Sequence, residues 1–117
     1  MIKRIKSSTP VYLSCTHTDM RKSINGLAAI VQGSFNLDPF EGAIFVFCNK
    51  NKDKIKVLQW DKDGFVLYYK RREKGRFCWP TLSNESTTVN VAKNDLNRLL
   101  DGLVMEQFIP HKQYTVI

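Results

Sequence analysis

Closely spaced lysine and arginine side chains between residues 50 and 76 are the groups in this sequence best placed to do chemistry. The stretch holds ten cations and four carboxylates, which is +6 of the formal net charge of +7 on the 117 residues. Clustered cations bind a phosphate backbone without reading its sequence, because neutralisation releases condensed counterions. We therefore predict a nucleic-acid-binding surface. The side chains expected to form it are Lys54, Lys56, Lys70, Arg71, Arg72, Lys74, Arg76 and, from an earlier segment, Arg21.

Other interpretations of this charge are open at the level of the sequence. A charge run is usually a solvated surface, and a basic face can also dock on acidic protein. Aromatic residues near the basic segment, above all Tyr69 and Trp79, could stack on unpaired bases. Residues of this type more often fill the core of a sheet.

Signals for catalysis are weak. A two-metal site for phosphoryl transfer needs several converging carboxylates. Asp61 and Asp63 lie two residues apart, but in a DKDG turn, where Asp is expected because it bonds to nearby backbone. His17 and His111 have no nucleophile beside them in the sequence. We predict that the protein is not an enzyme and carries no cofactor.

The three cysteines indicate ordinary packing rather than a metal site. Cys15, Cys48 and Cys78 are widely separated, and the sequence has no CxxC motif and no paired histidines. Zinc sites need such spacing, so we predict no bound metal. Free cysteines suit a reducing compartment, which together with the lack of an export segment predicts a cytoplasmic protein.

Strands are the elements that must position the basic side chains. Runs at 55–60, 65–71 and 76–79 are rich in β-branched and aromatic residues, and the turns DKDG and EKG separate them. This pattern predicts a three-stranded antiparallel meander. Alternation places Tyr69 on one face of the second strand and Lys70 on the other. Segments 11–15, 43–48 and 87–91 predict three more strands.

Two segments have the apolar spacing of helices. Steps of three and four from Met20 predict a helix near residues 19–35, with Asp19 favoured at its positive end. Leu96, Leu99 and Leu100 predict a second helix near 93–102, closed by Gly102 in a left-handed conformation. The predicted fold class is α+β, with a mainly antiparallel sheet, a central β-meander and two packed helices.

The chain is expected to be one domain. We divide it into a basic lead-in at 1–10, a core at 11–103 and a C-terminal tail at 104–117. No apolar run approaches the ~20 residues that a membrane span requires. The apolar residues of the tail make a homodimer or another protein contact conceivable.

The order of these segments resembles one family. The matching stretches are TDMRKSINGLAAIV (Thr18 to Val31), LDPFEGAIFVF (Leu37 to Phe47) and KIKVLQWDKDGFVLYYKRREKGRFCWP (Lys54 to Pro80). They are similar to TnpB, the short accessory protein of the second reading frame in the IS-sixty-six class of bacterial insertion sequences. That family is distinct from the RNA-guided nuclease of the same name. The chain differs from the usual pattern at Arg72, where the family mostly has an apolar residue.

The resemblance implies an accessory factor for DNA transposition that acts beside a separate transposase, which carries the cutting and joining chemistry. It implies DNA, at the element ends or as generic duplex, and that transposase as partners. It supplies no active site. On this basis we predict DNA binding through the basic hairpin. An adaptor that contacts the transposase without binding DNA is the alternative.

Overall fold

A computed structural model describes residues 6–80 and 86–102. These residues form an α+β fold, as the sequence predicts. The elements in chain order are β1 (Val11–Ser14), α1 (Ile24–Gly33), β2 (Ile44–Cys48), β3 (Lys54–Asp61), β4 (Gly64–Arg71), β5 (Thr88–Val91) and α2 (Lys93–Leu100). The predicted tail at 104–117 lies outside the described residues, as do residues 1–5 of the lead-in.

The strands form one five-stranded sheet in the order β4-β3-β2-β1-β5. The β2–β3, β3–β4 and β1–β5 pairs are antiparallel, whereas β1 and β2 run parallel. The parallel pair follows from chain order: α1 lies between β1 and β2, and a strand–helix–strand connection returns the chain in the same direction. The central meander is therefore β2–β3–β4.

A hydrophobic core covers each face of the sheet, because alternate side chains point to opposite sides. The α1-face core consists of Leu27, Val31, Phe35, Ala43, Phe45, Phe47 and Leu58. The α2-face core consists of Val11, Leu13, Ile44, Val46, Cys48, Ile55, Val57, Phe77, Val91, Leu96, Leu99 and Leu100. Strand β2 is buried along its whole length because both cores use it.

The segment 76–79 is not a strand, which corrects the prediction of a third strand after β4. Gly75 has φ 74° and turns the chain out of the plane of the sheet. Phe77 then enters the α2-face core, where it is 2% exposed. Its backbone N–H donates to the Lys52 carbonyl at 2.7 Å. The segment covers a face of the sheet instead of extending its edge.

The first helix begins later than the predicted boundary near residue 19. Its N-cap is Ser23, and its first turn contains no acid, so Asp19 has no role at the helix dipole. Met20 fits the helical spacing because its side chain packs against the α1-face core from the preceding loop. The residues between β1 and α1 therefore form a loop, and this loop carries polar side chains near the carboxyl end of β1.

Two turns show where the backbone needs a left-handed residue. In the β3–β4 turn Lys62 takes positive φ (58°), whereas Gly64, the expected position, pairs with Asp61 in the ladder. At the end of α2, Gly102 has φ 79° and its N–H donates to the Leu99 carbonyl at 3.0 Å, which confirms the predicted cap. The two described helices have ten and eight residues, and neither is long and apolar enough to cross a membrane.

Candidate nucleic-acid interface

Two adjoining cavities lie past the carboxyl ends of the parallel strands β1 and β2. Their volumes are about 590 and 540 Å³, and they share His17, Asn49 and Lys50 in their walls. Ligand sites in sheets with parallel strands often lie at these ends, where loops diverge. We call the combined depression the carboxyl-end cleft. Its lining includes His17, Arg21, Asn49, Lys50, Lys52, Lys54, Tyr69 and Trp79.

The loop between β2 and β3 forms the floor of the cleft, and Asn49 fixes its shape. The Asn49 side-chain oxygen accepts the N–H groups of Asp53 at 3.1 Å and Lys54 at 3.0 Å. Its amide nitrogen donates to the Asp53 carboxylate at 2.6 Å. This hydrogen bond, followed by the nearby Lys54 ammonium, lowers the pKa of Asp53. The loop thus holds Lys50 and Lys52 in a defined backbone.

Backbone contacts tie this loop and the last residue of β2 to two other segments. The Lys52 carbonyl accepts from Phe77, the Asp53 carbonyl accepts from Arg72 at 2.8 Å, and the Cys48 carbonyl accepts from Thr18 at 2.8 Å. Lys52 itself has φ 60°, a conformation that costs energy for a residue with a side chain. These bonds hold it there, so the exposed lysines project from a rigid platform.

Asp19 and Arg21 lie in the wall of the cleft that is formed by the loop before α1, and they form hydrogen bonds with each other. The Asp19 carboxylate accepts the Arg21 backbone N–H at 2.9 Å and the guanidinium at 2.7 to 3.1 Å. The Arg21 guanidinium, helped by that backbone N–H, lowers the pKa of Asp19 to about 2. The Arg21 side chain is still 91% exposed. Its charge is partly offset by Asp19 but open to a ligand.

Lys56 supports this wall. Its ammonium donates to the backbone carbonyls of Met20 at 2.9 Å and Lys22 at 2.8 Å, and lies 5.5 Å from the centre of the Tyr69 ring. These contacts connect β3 to the loop before α1. They engage the Lys56 ammonium within the protein.

Lys54 and Arg71 face each other across the β3–β4 ladder, on the same face as Lys56. Each has one acidic partner: Lys54 Nζ lies 3.4 Å from Asp53, and Arg71 Nε lies 2.7 Å from Glu73. The Glu73 carboxylate raises the pKa of Arg71. Exposed ion pairs of this kind are weak, so both cations can exchange an acid for a phosphate.

Lys70 and Arg72 point to the opposite face, so the eight predicted cations do not form one surface. Lys70 Nζ donates to the Leu100 carbonyl and closes the carboxyl end of α2. Arg72 lies 5.8 Å from the centre of the Phe77 ring and donates to the Arg76 carbonyl at 3.1 Å. The physical reason is strand alternation, which sends neighbouring residues of β4 to opposite sides.

Lys74 and Arg76 lie in the segment that follows β4, and both are exposed. Within residues 6–80 and 86–102 neither side chain has a hydrogen bond or an ion pair.

The structure thus brings Arg21 and Lys54 together in the cleft, supported by Lys56, and adds Lys50, Lys52, His17 and Asn49. Arg71 does not line the cleft but pairs with Lys54 in the adjoining ladder. Sequence reasoning counted the two lysines in the charge total but did not place them in the site. The order strand, helix, strand from β1 to β2 was the available signal, because it predicts a parallel pair and a cleft at its carboxyl ends.

Cys15 and Cys48 also line the cleft. Burial raises the pKa of the Cys48 thiol to about 12, and burial also raises the pKa of Cys15. Both thiols are therefore protonated near neutral pH and are poor nucleophiles. Across the described part of the chain, no three histidine, cysteine or acidic side chains converge in a group that could hold a metal ion.

Comparison with known proteins identifies the family. A family model described as IS66 Orf2 like protein matches residues 9–109. Two uncharacterized proteins of Sinorhizobium fredii are similar: y4hO, 37% identical over 80% of this chain and 79% of its own, and y4jC, 33% identical over 73% and 71%. No solved structure matches the chain. With most of its length covered by the family model, this chain belongs to the IS66 Orf2-like family, which indicates an accessory role in transposition.

Proposed function

We propose that this protein binds DNA without catalysis, through the carboxyl-end cleft and the adjoining cations, and helps to position the separate transposase of the same element. The proposed phosphate contacts are Arg21, Lys50, Lys52, Lys54, Arg71, Lys74 and Arg76. Lys56 is proposed to position this surface from behind, whereas Lys70 and Arg72 are proposed to stabilise the opposite face of the sheet.

The observation that carries the proposal is the placement of Lys50 and Lys52. A solvated surface charge needs no fixed backbone, yet this loop is held by the Asn49 side chain and by backbone bonds to two distant segments. Lys52 adopts a left-handed conformation within it. Preorganised donors lose less entropy when they bind an anion, which favours a binding site over a merely soluble face.

A titration with duplex DNA tests the proposal. If about four to six phosphates are neutralised, log affinity against log salt has a slope near −4 to −5. An element-end duplex and a scrambled duplex of the same length should be compared at several salt concentrations. Equal affinities would indicate charge attraction alone, and a preference for the element end would indicate sequence readout. Absence of binding to either duplex at 50 mM salt would overturn the proposal.

An adaptor function is the second candidate, and one observation favours it. Phe40 is 52% exposed and packs edge-on against Trp60, with ring centres 5.1 Å apart. Phe65 completes this aromatic cluster at 5.0 Å from Trp60, near the β3–β4 turn. Exposed aromatic clusters are typical of protein interfaces.

Co-purification with the transposase separates the two functions. The adaptor predicts that the transposase is retained after nuclease treatment and in the Arg71→Ala/Arg76→Ala variant, but lost in Phe40→Ser. The DNA-binding function predicts that the nuclease and the double substitution both release the transposase, with Phe40→Ser as the unaffected control.

A further inference from the structure

We propose that the carboxyl-end cleft holds an unpaired DNA strand, with bases stacked on Tyr69 and Trp79. This inference deepens the proposed function, because it names the form of DNA that the same basic site takes. It rests on the position of two aromatic side chains that duplex binding does not require.

The two cavities of the cleft each contain one of these aromatics. Tyr69 lines the cavity that also contains Arg21 and Lys54, and Trp79 lines the cavity that also contains Lys52. Lys50 lines both, so it lies where the cavities meet. Aromatic side chains and cations therefore line the same pair of adjoining cavities. An unpaired strand offers bases to the aromatics and phosphates to the cations.

Tyr69 is not used as a core residue. It lies on the α1 face of β4 but is 49% exposed, whereas Leu67, two residues earlier on the same face, packs against the α1-face core. The Lys56 ammonium 5.5 Å from the ring centre orients the ring. A tyrosine held in this way presents a flat surface with little loss of side-chain freedom on binding.

Trp79 is held in place by its contacts with the α2-face core. It packs against the α2-face core and stays half-buried, and its backbone N–H donates to the Phe77 carbonyl at 2.9 Å. Pro80 follows and restricts the backbone before it. These contacts hold Trp79 in a defined position beside the cavity that it lines together with Lys50 and Lys52.

An intact duplex cannot use these surfaces. Its bases are stacked on one another inside the helix, and it offers the protein mainly phosphates and groove edges. Unpaired bases expose their faces and stack on aromatic side chains with little dependence on sequence. The aromatics therefore discriminate between forms of DNA, whereas the cations bind both.

The test compares a fluorescent 12-nucleotide oligothymidine with a 12-base-pair duplex in anisotropy titrations at 50 mM salt. Tyr69→Leu and Trp79→Leu keep an apolar side chain but remove the stacking surface. Each should weaken oligothymidine binding by about 5- to 100-fold and change duplex binding by less than about twofold. Phe40→Leu is the matched control, because it removes an exposed aromatic far from the cleft. It should leave both affinities unchanged.

A second readout does not depend on the stability of the Trp79 variant. Trp60→Phe leaves Trp79 as the sole tryptophan, and stacking should quench its fluorescence when oligothymidine is added, but not when duplex is added. Duplex binding with no quenching, and with no loss of oligothymidine affinity in Tyr69→Leu, would overturn this inference and leave the proposed function intact. Failure to bind either probe would overturn the proposed function itself.

Discussion

The two faces of the sheet near the end of β4 use adjacent cations in different ways. On the α2 face, Lys70 closes the carboxyl end of α2 and Arg72 packs over Phe77. On the α1 face, Arg71 pairs with an exposed acid, Glu73, beside the cleft. Three neighbouring residues with similar charge thus serve stability on one side and remain available on the other. Net charge alone does not distinguish these roles, whereas the partner of each side chain does.

Among the substitutions that distinguish the two faces of the sheet, Lys70→Met should have the largest effect on stability. It removes a charged donor from the last carbonyls of α2, where hydrogen bonding and the helix dipole both favour a cation. We expect the free energy of unfolding to fall by about 1 to 3 kcal/mol, measured by urea denaturation. Arg71→Met is the matched control and should leave the unfolding midpoint unchanged. If Lys70→Met and Arg71→Met destabilised the protein equally, the proposed difference between the two faces of the sheet would be wrong.

Gly102→Ala should destabilise the same face by a somewhat smaller amount. Gly102 has positive φ, and a Cβ there would collide with Nη1 of Arg72. We expect a loss of about 1 to 2 kcal/mol. The double variant with Arg72→Ala should lose less than the sum of the two single losses, because it removes the collision. Strict additivity in this cycle would show that the Arg72 guanidinium moves away from the new methyl group at no cost, so that backbone strain at Gly102 accounts for the whole loss.

Arg71→Ala should affect binding rather than stability. Its loss removes one proposed phosphate contact, so the salt dependence of duplex affinity should become shallower by about 0.9. At 50 mM salt we expect affinity to fall about threefold to tenfold. Anisotropy titrations measure both quantities. An unchanged slope would place Arg71 outside the interface.

Asp19→Ala should give the smallest effect and the opposite sign. Removing the carboxylate raises the charge of the cleft by one and frees Arg21, so we expect DNA binding about two- to threefold tighter at low salt. Weaker binding would indicate that Asp19 is needed to orient Arg21.

The pH dependence of the Asp19–Arg21 pair follows from the lowered pKa of Asp19. Because that pKa falls from 3.8 to about 2 on folding, the pair contributes to stability above about pH 4 and loses that contribution as the pH falls through 2. Asp19 therefore causes no change in DNA affinity between pH 5 and pH 8. Titrations at pH 5, 6.5 and 8 in the wild type and in Asp19→Ala test this, since both should show the same dependence on pH.

The sequence predicts the ladder of β3 and β4 well, because alternating β-branched and aromatic residues on both sides of a short turn determine it locally. The segment 76–79 has the same composition but does not form a strand. Phe77 covers the α2-face core, and no local pattern distinguishes a strand that pairs from a segment that covers a face. Arg72 packs over that phenylalanine, with its guanidinium 5.8 Å from the ring centre.

The candidate site was predictable only in part. Strand alternation alone places Lys70 on the opposite face of the sheet from Tyr69. Which group Lys70 forms a hydrogen bond with depends on the position of the end of α2. The contribution of Lys50 and Lys52 depends on the parallel pairing of β1 and β2, which joins residues 33 positions apart along the chain. Charge counts locate the basic segment, whereas long-range packing decides which cations face the cleft.

The salt dependence of duplex binding in Arg21→Ala/Lys50→Ala/Lys54→Ala/Arg71→Ala, measured beside Lys70→Met, tests the central claim most directly. Four of the seven proposed phosphate contacts should be lost, three in the cleft and Arg71 beside it, so the slope of log affinity against log salt should become shallower by up to about 3.6. Lys70→Met should keep the wild-type slope in spite of its lower stability. A fourfold variant that keeps the wild-type slope, or a Lys70→Met variant that loses it, would contradict the assignment of DNA binding to the cleft face.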